Sequence, residues 1–370
     1  MNSTQDLILG VLGGTWVGFQ YPGIEAYVES IKRSGFTGRK IMLVWGIRTE
    51  VRQKLTEYGF ELVDLPQPYD PFFHARMRVA WEFLRDHHKE FRYIFWLDIK
   101  DLILQSDPSV WMEQNIGEYS IIASTECVTI EQEGTNQLWL RNIVGEKEYQ
   151  EVKDEEVINC GTWAGKSEVM TEVFHQTHLG CQKYGGGYPP CQANLNYVLH
   201  TIFKKDRRIP RWSQGFAACL HPCWSPWRTP CWPNMRDAHP VLDLNTCTLH
   251  AGTTPNPHNP GIVFNPVWGK NRRLILEMSS SPLTSVECAD NPVGKPFAIV
   301  HGYDRDWDVK SLFDFRYRFG GQFDLAAFKK WNEELASRQP TERRGLRRLQ
   351  RESIVGARVV PYTPRVFKRH

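Results

Sequence analysis

The sequence contains no run of about 18 consecutive apolar residues, the shortest stretch that usually serves as a membrane-spanning helix. Its first 14 residues carry no basic segment ahead of their apolar stretch, and that stretch is too short for a signal sequence. These absences argue against a helical membrane protein and against a secreted one. We therefore expect a cytoplasmic protein without a transmembrane segment, which could still associate with a membrane peripherally.

Paired cysteines are absent as well. The nine cysteines are an odd number, are scattered, and include no C-x-x-C pair, so free thiols are the expected state in the cytoplasm. Cys219, Cys223 and Cys231, with His221 between them, could bind zinc, but their spacing matches no common zinc module. A disulfide framework and a zinc module are therefore both disfavoured.

The sequence also lacks a dinucleotide-binding turn. Gly10, Gly13 and Gly14 follow the first strand-like segment as G-x-x-G-G, whereas that turn needs G-x-G-x-x-G at the start of a helix. This disfavours an NAD-dependent oxidoreductase. Glycine still lets the backbone approach a nucleotide closely, so Gly13 is a candidate nucleotide contact.

The composition is that of a globular protein, with 41% hydrophobic and 24% charged residues, and 370 residues can form one large domain or two smaller ones. The 14 tryptophans fit either an aromatic core or a surface for a flat ligand such as a sugar ring. Segment 210–233 is especially rich in Trp and Pro. It is a candidate platform for an acceptor, or it closes a small lobe.

Positive charge is concentrated near the C-terminal end. The formal net charge is +3, but residues 338–370 hold ten Lys or Arg against two acidic residues. Such a tail could bind an anionic surface, or it could be a solvated or partly helical end. We do not expect a nucleic-acid-binding protein, because that class would leave a group of charges at a strand end, described below, unexplained.

Strand-like and helix-like segments alternate over the first hundred residues. Apolar strands are predicted at DLILGVLGG, RKIMLVWGI, ELVDLP and YIFWLD, with helices of 10 to 18 residues between them. A strand at YSIIAST, a strand and turn at EVINCGTWAG, a helix from about Lys166 and a helix at QANLNYVLHTIF follow, and 207–266 is loop-rich. This order predicts an α/β fold with a single, mostly parallel, helix-covered sheet and a loop-rich C-terminal lobe.

Asp98, Lys100 and Asp101 lie at the end of the predicted strand YIFWLD, at the edge where ligands bind in a parallel sheet. Two carboxylates three positions apart can hold Mg²⁺ or Mn²⁺, which suit oxygen ligands and substrate phosphates. Asp101 could instead cap a short helix, and Asp107-Pro108 is itself a turn or cap signal. Spacing alone leaves both interpretations open.

The surrounding motifs resemble those of nucleotide-sugar glycosyltransferases with the GT-A fold, in the group whose core reads roughly D-x-(K/R)-D-(V/L)-x-(F/L)-Q-x-D-P. Four segments carry the resemblance in order. They are 98–108 (DIKDLILQSDP), 156–165 (EVINCGTWAG), 192–196 (QANLN) and 298–305 (AIVHGYDR). The chain departs from the pattern in having D-x-x-D rather than D-x-D, and in having Cys191 where an Asp usually precedes Gln192.

The resemblance implies a divalent cation, Mn²⁺ or Mg²⁺, as cofactor. Asp101 and His301 would ligate it, and Asp98 would be a further ligand or an acceptor for ribose or donor-sugar hydroxyls. Arg76 would face the nucleotide, although a solvated helix charge is an equal alternative. Lys100 would pair with the diphosphate or with a neighbouring acid.

The same resemblance places Asn159, Gly161 and Gln192 around the donor sugar, where amides suit hydroxyl groups and glycine admits the ring. Asn-Cys-Gly is also a plausible tight turn. Glu156 and Glu126 are candidate acid/base groups; in an inverting reaction, one of them could deprotonate the acceptor hydroxyl.

Together these features predict a glycosyltransferase, either a hexosyl- or a pentosyltransferase, that moves a sugar from a nucleoside-diphosphate sugar to a hydroxyl of a glycan or other acceptor. The alternative is a non-catalytic carbohydrate- or nucleotide-binding protein with the same fold. The expected GT-A domain spans 1–335, with a nucleotide-binding half at 6–125 and a donor and acceptor half at 126–310. The basic tail spans 336–370.

Overall fold

A computed structural model provides the structure of the chain. It describes residues 5–14, 23–131, 133–184, 190–208, 217–219, 241–243, 248–250, 273–276, 283–286, 298–301, 317 and 330. The basic tail 336–370 lies outside these residues, and so does most of the Trp-rich segment 210–233. The domain bounds therefore stay a prediction.

Fourteen strands are defined in the described residues. In chain order they are β1 (Leu7–Gly13), β2 (Arg39–Trp45), β3 (Glu61–Asp64), β4 (Tyr93–Leu97), β5 (Leu102–Leu104), β6 (Ile121–Thr129), β7 (Glu156–Lys166), β8 (Arg207–Arg208), β9 (Ala217–Cys219), β10 (Val241–Asp243), β11 (Thr248–His250), β12 (Arg273–Leu276), β13 (Leu283–Val286) and β14 (Ile299–His301).

Eight α-helices are defined in the same part of the chain. They are α1 (Glu25–Arg33), α2 (Thr49–Glu57), α3 (Phe72–His87), α4 (Pro108–Asn115), α5 (Gly134–Trp139), α6 (Glu146–Val152), α7 (Ser167–Tyr184) and α8 (Pro190–His200). A 3-10 turn (His88–Glu90) follows α3, and a π-helix (Leu140–Val144) joins α5 to α6. None of the helices in the described ranges combines the length and the apolar character needed to cross a membrane.

A seven-stranded sheet in the order β3-β2-β1-β4-β7-β6-β8 forms the centre of the fold. The pairs β3–β2, β2–β1, β1–β4 and β6–β8 are parallel, whereas β7 is antiparallel to both β4 and β6. The predicted α/β class with a mostly parallel sheet is therefore confirmed. Because β1, β2 and β4 run in the same direction, their carboxyl ends share one edge of the sheet.

Helices cover both faces of this sheet, which explains why the predicted strands are continuous apolar runs rather than alternating ones. Along β1, Leu7 and Leu9 pack into a core shared with α3, α7 and α8, while Ile8 and Leu12 pack into a second core shared with α1, α2 and α4. Successive side chains of a strand point to opposite faces, so one strand contributes to both cores.

A second, three-stranded sheet brings a distant part of the chain to the end of β4. Strand β14 pairs antiparallel with β5, with His301 opposite Leu102, and parallel with β9, with His301 opposite Cys219. The backbone N–H of Gln105 also donates to the carbonyl of Ala298 (2.7 Å). This pairing places residue 301 beside residue 101 although they are far apart in sequence.

The structure differs from the sequence prediction in two places. Asn159, Cys160 and Gly161 lie inside the continuous strand β7, so the alternative of a tight turn there is wrong. Asparagine and glycine favour turns locally, and Asn159 Oδ1 still accepts from the Gly161 N–H as in an Asx turn. The strand pairings on either side of these residues, Thr125 with Ile158 and Leu97 with Thr162, nevertheless keep the chain extended. Segment 134–152 forms α5, the π-helix and α6, which are too short to show a clear helical period in the sequence.

Helix α8 is attached to β7 by buried polar side chains. Asn196 donates from Nδ2 to the Ile158 carbonyl and accepts from the Ile158 N–H, both at 2.8 Å. His200 Nε2 lies 2.8 Å from the Glu156 carbonyl, and Arg207 Nη2 lies 2.8 Å from His200 Nδ1. Because a guanidinium can only donate, His200 accepts at Nδ1 and donates from Nε2, so it is neutral.

Burial lowers the pKa of His200, and the charge of Arg207 lowers it further, although Glu155 partly offsets both. The unfolded chain therefore protonates His200 first as the pH falls below about 6.5, and the free energy of unfolding decreases by up to about 1.4 kcal/mol per pH unit. His200→Gln can make both hydrogen bonds but does not titrate. We expect a shallower loss of stability between pH 7.5 and 5 for this variant, measured by urea unfolding; parallel curves for variant and wild type would contradict the assignment.

Candidate functional site

The acidic residues predicted from the sequence lie at the carboxyl end of β4. Asp98 is the first residue after β4, and its backbone N–H donates to the Gly161 carbonyl of β7 (2.8 Å). Asp101 immediately precedes β5, the strand that pairs with β14. A backbone hydrogen bond to β7 therefore fixes Asp98, and the pairing of β5 with β14 fixes the chain directly after Asp101.

His301 completes a cluster with these two aspartates. Its Nε2 atom lies 3.3 Å from Asp101 Oδ1 and 3.7 Å from Asp98 Oδ2. One ligand atom from each of the three residues lies within 4.8 Å of the other two. The side chains of His301 and Asp101 are 6% and 11% exposed, whereas that of Asp98 is 31% exposed, so the cluster opens towards solvent on the Asp98 side.

The donor set fits a divalent cation. Two carboxylate oxygens and one imidazole nitrogen are a normal combination for Mn²⁺, and carboxylates suit Mg²⁺. Neighbouring ligands at about 2.1 Å from such an ion are about 3 Å apart, so the observed separations need only a small contraction. Both aspartates of the D-x-x-D motif contribute an oxygen to the cluster.

Arg76 from α3 is buried against the same strand end. Its Nη1 donates to Asp98 Oδ1 (2.9 Å), and its Nη2 contacts Cys160 Sγ (2.9 Å) and the Cys160 carbonyl (3.4 Å). Burial opposes its charge, but the sulfur atoms of Cys191 and Cys160 and the Asp98 carboxylate outweigh it and raise the Arg76 pKa. The alternative of a solvated helix charge is therefore wrong: besides contacting Asp98 and Cys160, the guanidinium lies over the rings of Phe73 and Trp96.

Cys191, which replaces the usual Asp, lies buried in this environment. Burial opposes ionisation of its thiol, but a hydrogen bond with Cys160 and the charge of Arg76 lower the Cys191 pKa to about 7. Cys160, Cys181 and Cys191 are all free thiols. The charge of Arg76 therefore favours the ionised form of the Cys191 thiol.

Gly161 is the residue of β7 nearest to the cluster. A Cβ atom at this position would collide with Asp98, at 2.5 Å from Cγ, and with His301, at 2.6 Å from Cε1. Real side chains do not approach this closely, so the cluster requires a residue without a side chain at 161. The glycine was predicted to admit a sugar ring, and in the structure it makes room for the side chains of Asp98 and His301.

Asn159 and Gln192 flank this glycine, but both make hydrogen bonds to the protein backbone. Asn159 Oδ1 accepts from the Gly161 N–H (2.8 Å), and Gln192 Oε1 accepts from the Cys160 N–H (3.3 Å). Gln192 Nε2 donates to Asn136 Oδ1 (2.9 Å). The two amides therefore support β7 at the position where it borders the cluster.

The remaining predicted site residues are not members of the cluster. Glu156 is five residues before Gly161 on β7, roughly 16 Å away along the strand. Lys100 is exposed. Gly13 is buried at the end of β1, where a Cβ atom would collide with the Trp45 ring, so packing against Trp45 already accounts for a glycine there.

Several predictions concern residues outside the described part of the chain. They include the side chain of Glu126 and the proposed zinc residues, of which only the backbone of Cys219 is described, in β9. Two buried residues near the cluster, Glu133 and Asn136, were not predicted. Their spacing of three residues is that of a helix cap, which the sequence could have indicated.

No protein-family model and no curated protein matches the chain. Among solved structures, it is similar to a galactosyltransferase, LgtC, in complex with donor and acceptor sugar analogues, at 13% identity over 58% of this chain and 76% of that one, with a TM-score of 0.40. It is also similar to an active-site mutant of LgtC, at 13% identity over 84% of this chain and 95% of that one, with a TM-score of 0.45. The apo bifunctional glycosyltransferase WbbM gives 10% identity over 58% of this chain, which spans 40% of WbbM, with a TM-score of 0.43.

The close packing at Gly161 can be tested with one methyl group. In Gly161→Ala the new Cβ displaces Asp98 or His301, so we expect Mn²⁺ to bind at least about tenfold more weakly, measured by electron paramagnetic resonance titration. Gly134→Ala is the matched control, because no atom lies within 4 Å of its added Cβ. Equal Mn²⁺ affinities for Gly161→Ala and the wild type would contradict the assignment of the cluster.

Proposed function

We propose that this protein is a metal-dependent glycosyltransferase that moves a sugar from a nucleoside-diphosphate sugar to a hydroxyl group of a glycan or other acceptor. One observation carries the proposal: Asp98, Asp101 and His301 converge at the carboxyl end of β4, where parallel α/β sheets bind their ligands. The four ordered sequence motifs around these residues support the same class.

Asp98, Asp101 and His301 would hold Mn²⁺ or Mg²⁺. When bound, such a cation supplies positive charge that stabilises a departing nucleoside diphosphate. Asp98 is the most exposed of the three, so donor phosphates would reach the site from its side. Lys100, exposed beside it, can pair with those phosphates.

In this proposal Arg76 orients a ligand residue rather than the nucleotide. Its guanidinium holds Asp98 Oδ1 and leaves Oδ2 directed towards His301. A fixed carboxylate needs less reorganisation when charge develops nearby, which is the advantage of a preorganised site. The charge of Arg76 also lowers the pKa of the buried Cys191 thiol, whereas burial raises the pKa of Cys160.

The donor sugar would lie along β7, next to Gly161 and Asn159, with Gln192 behind the strand. β7 extends past the end of β4 towards Glu156, so Glu156 could face the acceptor rather than the diphosphate. Whether Glu156 deprotonates the acceptor hydroxyl depends on whether the reaction inverts the anomeric centre. The Trp-rich segment 210–233 remains the candidate acceptor platform.

The direct test is to incubate the protein with Mn²⁺ and a panel of nucleotide sugars, and to measure release of the nucleoside diphosphate. We expect turnover with at least one donor, and a loss of at least about 100-fold in Asp101→Ala because a ligand carboxylate is removed. Asp86→Ala is the matched control, because it removes an exposed aspartate from the end of α3. Turnover should also disappear when EDTA removes the metal.

Two other outcomes are informative. Donor binding without any release would support the non-catalytic carbohydrate- or nucleotide-binding protein. If no donor is hydrolysed or transferred and none shifts the melting temperature, both proposals fail.

A further inference from the structure

A chain of buried side-chain hydrogen bonds connects the start of α5 to the candidate site. Glu133 caps α5 and is 1% exposed. Its Oε2 atom accepts from Asn136 Nδ2 (2.8 Å) and from the Asn136 N–H (2.5 Å). Asn136 Oδ1 accepts from Gln192 Nε2, and Gln192 Oε1 accepts from the Cys160 N–H. The chain thus ends on the residue of β7 that precedes Gly161.

We propose that Glu133 and Asn136 are positioning residues of the candidate site, because they fix the orientation of the Gln192 amide and thereby the segment of β7 that supports Asp98. The link to catalysis rests on the proposed function. The hydrogen-bond chain itself can be tested independently of it.

The two ends of the chain determine its direction. An ionised carboxylate only accepts hydrogen bonds, and a backbone N–H only donates them. With two amides between them, one arrangement matches these three contacts: Cys160 N–H to Gln192 Oε1, Gln192 Nε2 to Asn136 Oδ1, and Asn136 Nδ2 to Glu133. Flipping either amide would place two donors or two acceptors together, which is costly for buried groups.

The chain acts on the cluster through Cys160. The sulfur and carbonyl of Cys160 contact Arg76 Nη2, and Arg76 Nη1 holds Asp98 Oδ1. Trp96 Nε1 also donates to the Cys160 carbonyl (3.0 Å), so three side chains, those of Arg76, Trp96 and Gln192, hold residue 160. A displacement of Cys160 would therefore move Arg76 and Asp98, and would shift Gly161 against His301.

A helix cap alone would not need this arrangement. Serine, threonine, aspartate or asparagine caps a helix from the surface, and a glutamate in the cap position is not among the preferred residues. Here the capping carboxylate is taken out of water, at a cost in desolvation, and it also receives a side-chain amide that leads to Gln192. A second role of the Glu133 carboxylate, in orienting the hydrogen-bond chain to Cys160, explains why it is buried.

The decisive experiment moves the carboxylate from residue 133 to residue 136, the next member of the hydrogen-bond chain. In Asn136→Asp two buried carboxylates face each other, so we expect the melting temperature to fall by about 10 °C. In the double variant Glu133→Gln/Asn136→Asp, the new carboxylate accepts from Gln192 Nε2 and from the Gln amide at position 133. The pattern is matched again, and most of the loss should be recovered.

Glu131→Gln/Asn136→Asp is the matched control. It has the same net charge as the rescuing double variant, but Glu131 is exposed and pairs with Lys153 outside the chain. This control should not recover the melting temperature. Equal recovery in both double variants, or no recovery in either, would overturn the hydrogen-bond chain.

The positioning role needs a second readout, taken at a temperature at which circular dichroism shows every variant folded. We expect Asn136→Asp to bind Mn²⁺ at least about threefold more weakly. With any donor found active, its kcat should fall while its KM stays unchanged. Both values should return in Glu133→Gln/Asn136→Asp. If Asn136→Asp does not fold, Asn136→Ala replaces it, with the same expected loss of Mn²⁺ affinity.

The outcomes separate this inference from the proposed function. Recovery of stability with unchanged Mn²⁺ affinity in all folded variants would reduce Glu133 and Asn136 to a helix cap and overturn the inference. A wild-type protein that binds no Mn²⁺ would overturn the proposed function and the positioning role with it. A wild-type protein that binds Mn²⁺ and turns over donor, but shows additive stability effects, would overturn the inference alone.

Discussion

The close contact of the Gly161 backbone with the side chains of Asp98 and His301 is the constraint on which the rest of the candidate site depends. Asp98 and His301 occupy the space where residue 161 would carry a Cβ atom, and the Asp98 N–H is bound to the Gly161 carbonyl. Glycine at this position weakens the strand, so the strand must be stabilised by its neighbours. Pairing with β4 and β6 on its two sides provides that support.

Polar groups buried around β7 follow from the same constraint. A strand that carries a glycine and an asparagine next to charged ligands needs its position fixed by more than its own ladder. Arg76 and Trp96 hold Cys160 through its carbonyl and sulfur, Asn196 holds Ile158, and Gln192 holds the Cys160 N–H. The backbone groups of Ile158 and Cys160 thereby gain specific partners, as buried polar groups generally must, whereas Arg76 Nε has no hydrogen-bond partner within the described part of the chain. These hydrogen bonds hold β7 in place beside the cluster, which is exposed to solvent at Asp98.

Much of the fold could be predicted because it depends on local patterns. Buried parallel strands are continuous apolar runs, and the helices between them show a clear period, so the order of elements up to β4 follows from the sequence. The cluster of Asp98, Asp101 and His301 was predicted from a resemblance and from the position of each residue at a strand end. Its geometry, however, depends on the pairing of β5 with β14, which no local pattern indicates.

Other features could not be predicted because they depend on partners far along the chain. Arg76 is one of several arginines on α3, and only its contacts with Asp98 and Cys160 distinguish it from Arg78, which pairs with surface acids. The sequence alone does not distinguish Glu133 from the other glutamates; its hydrogen bond to the Asn136 amide, which in turn contacts Gln192, does. Local preference also misleads at Asn159 and Gly161, where turn-forming residues occur inside a strand.

The pairing of β5 with β14 has a consequence for how the protein folds. The seven-stranded sheet forms from segments that end at residue 208, and most of its pairings join strands within about 75 residues. Residue 301 joins residue 102 only after a loop of about 200 residues closes, which carries a higher entropic cost. The central sheet can therefore assemble before His301 joins Asp98 and Asp101, and the candidate site is among the last parts of the molecule to form.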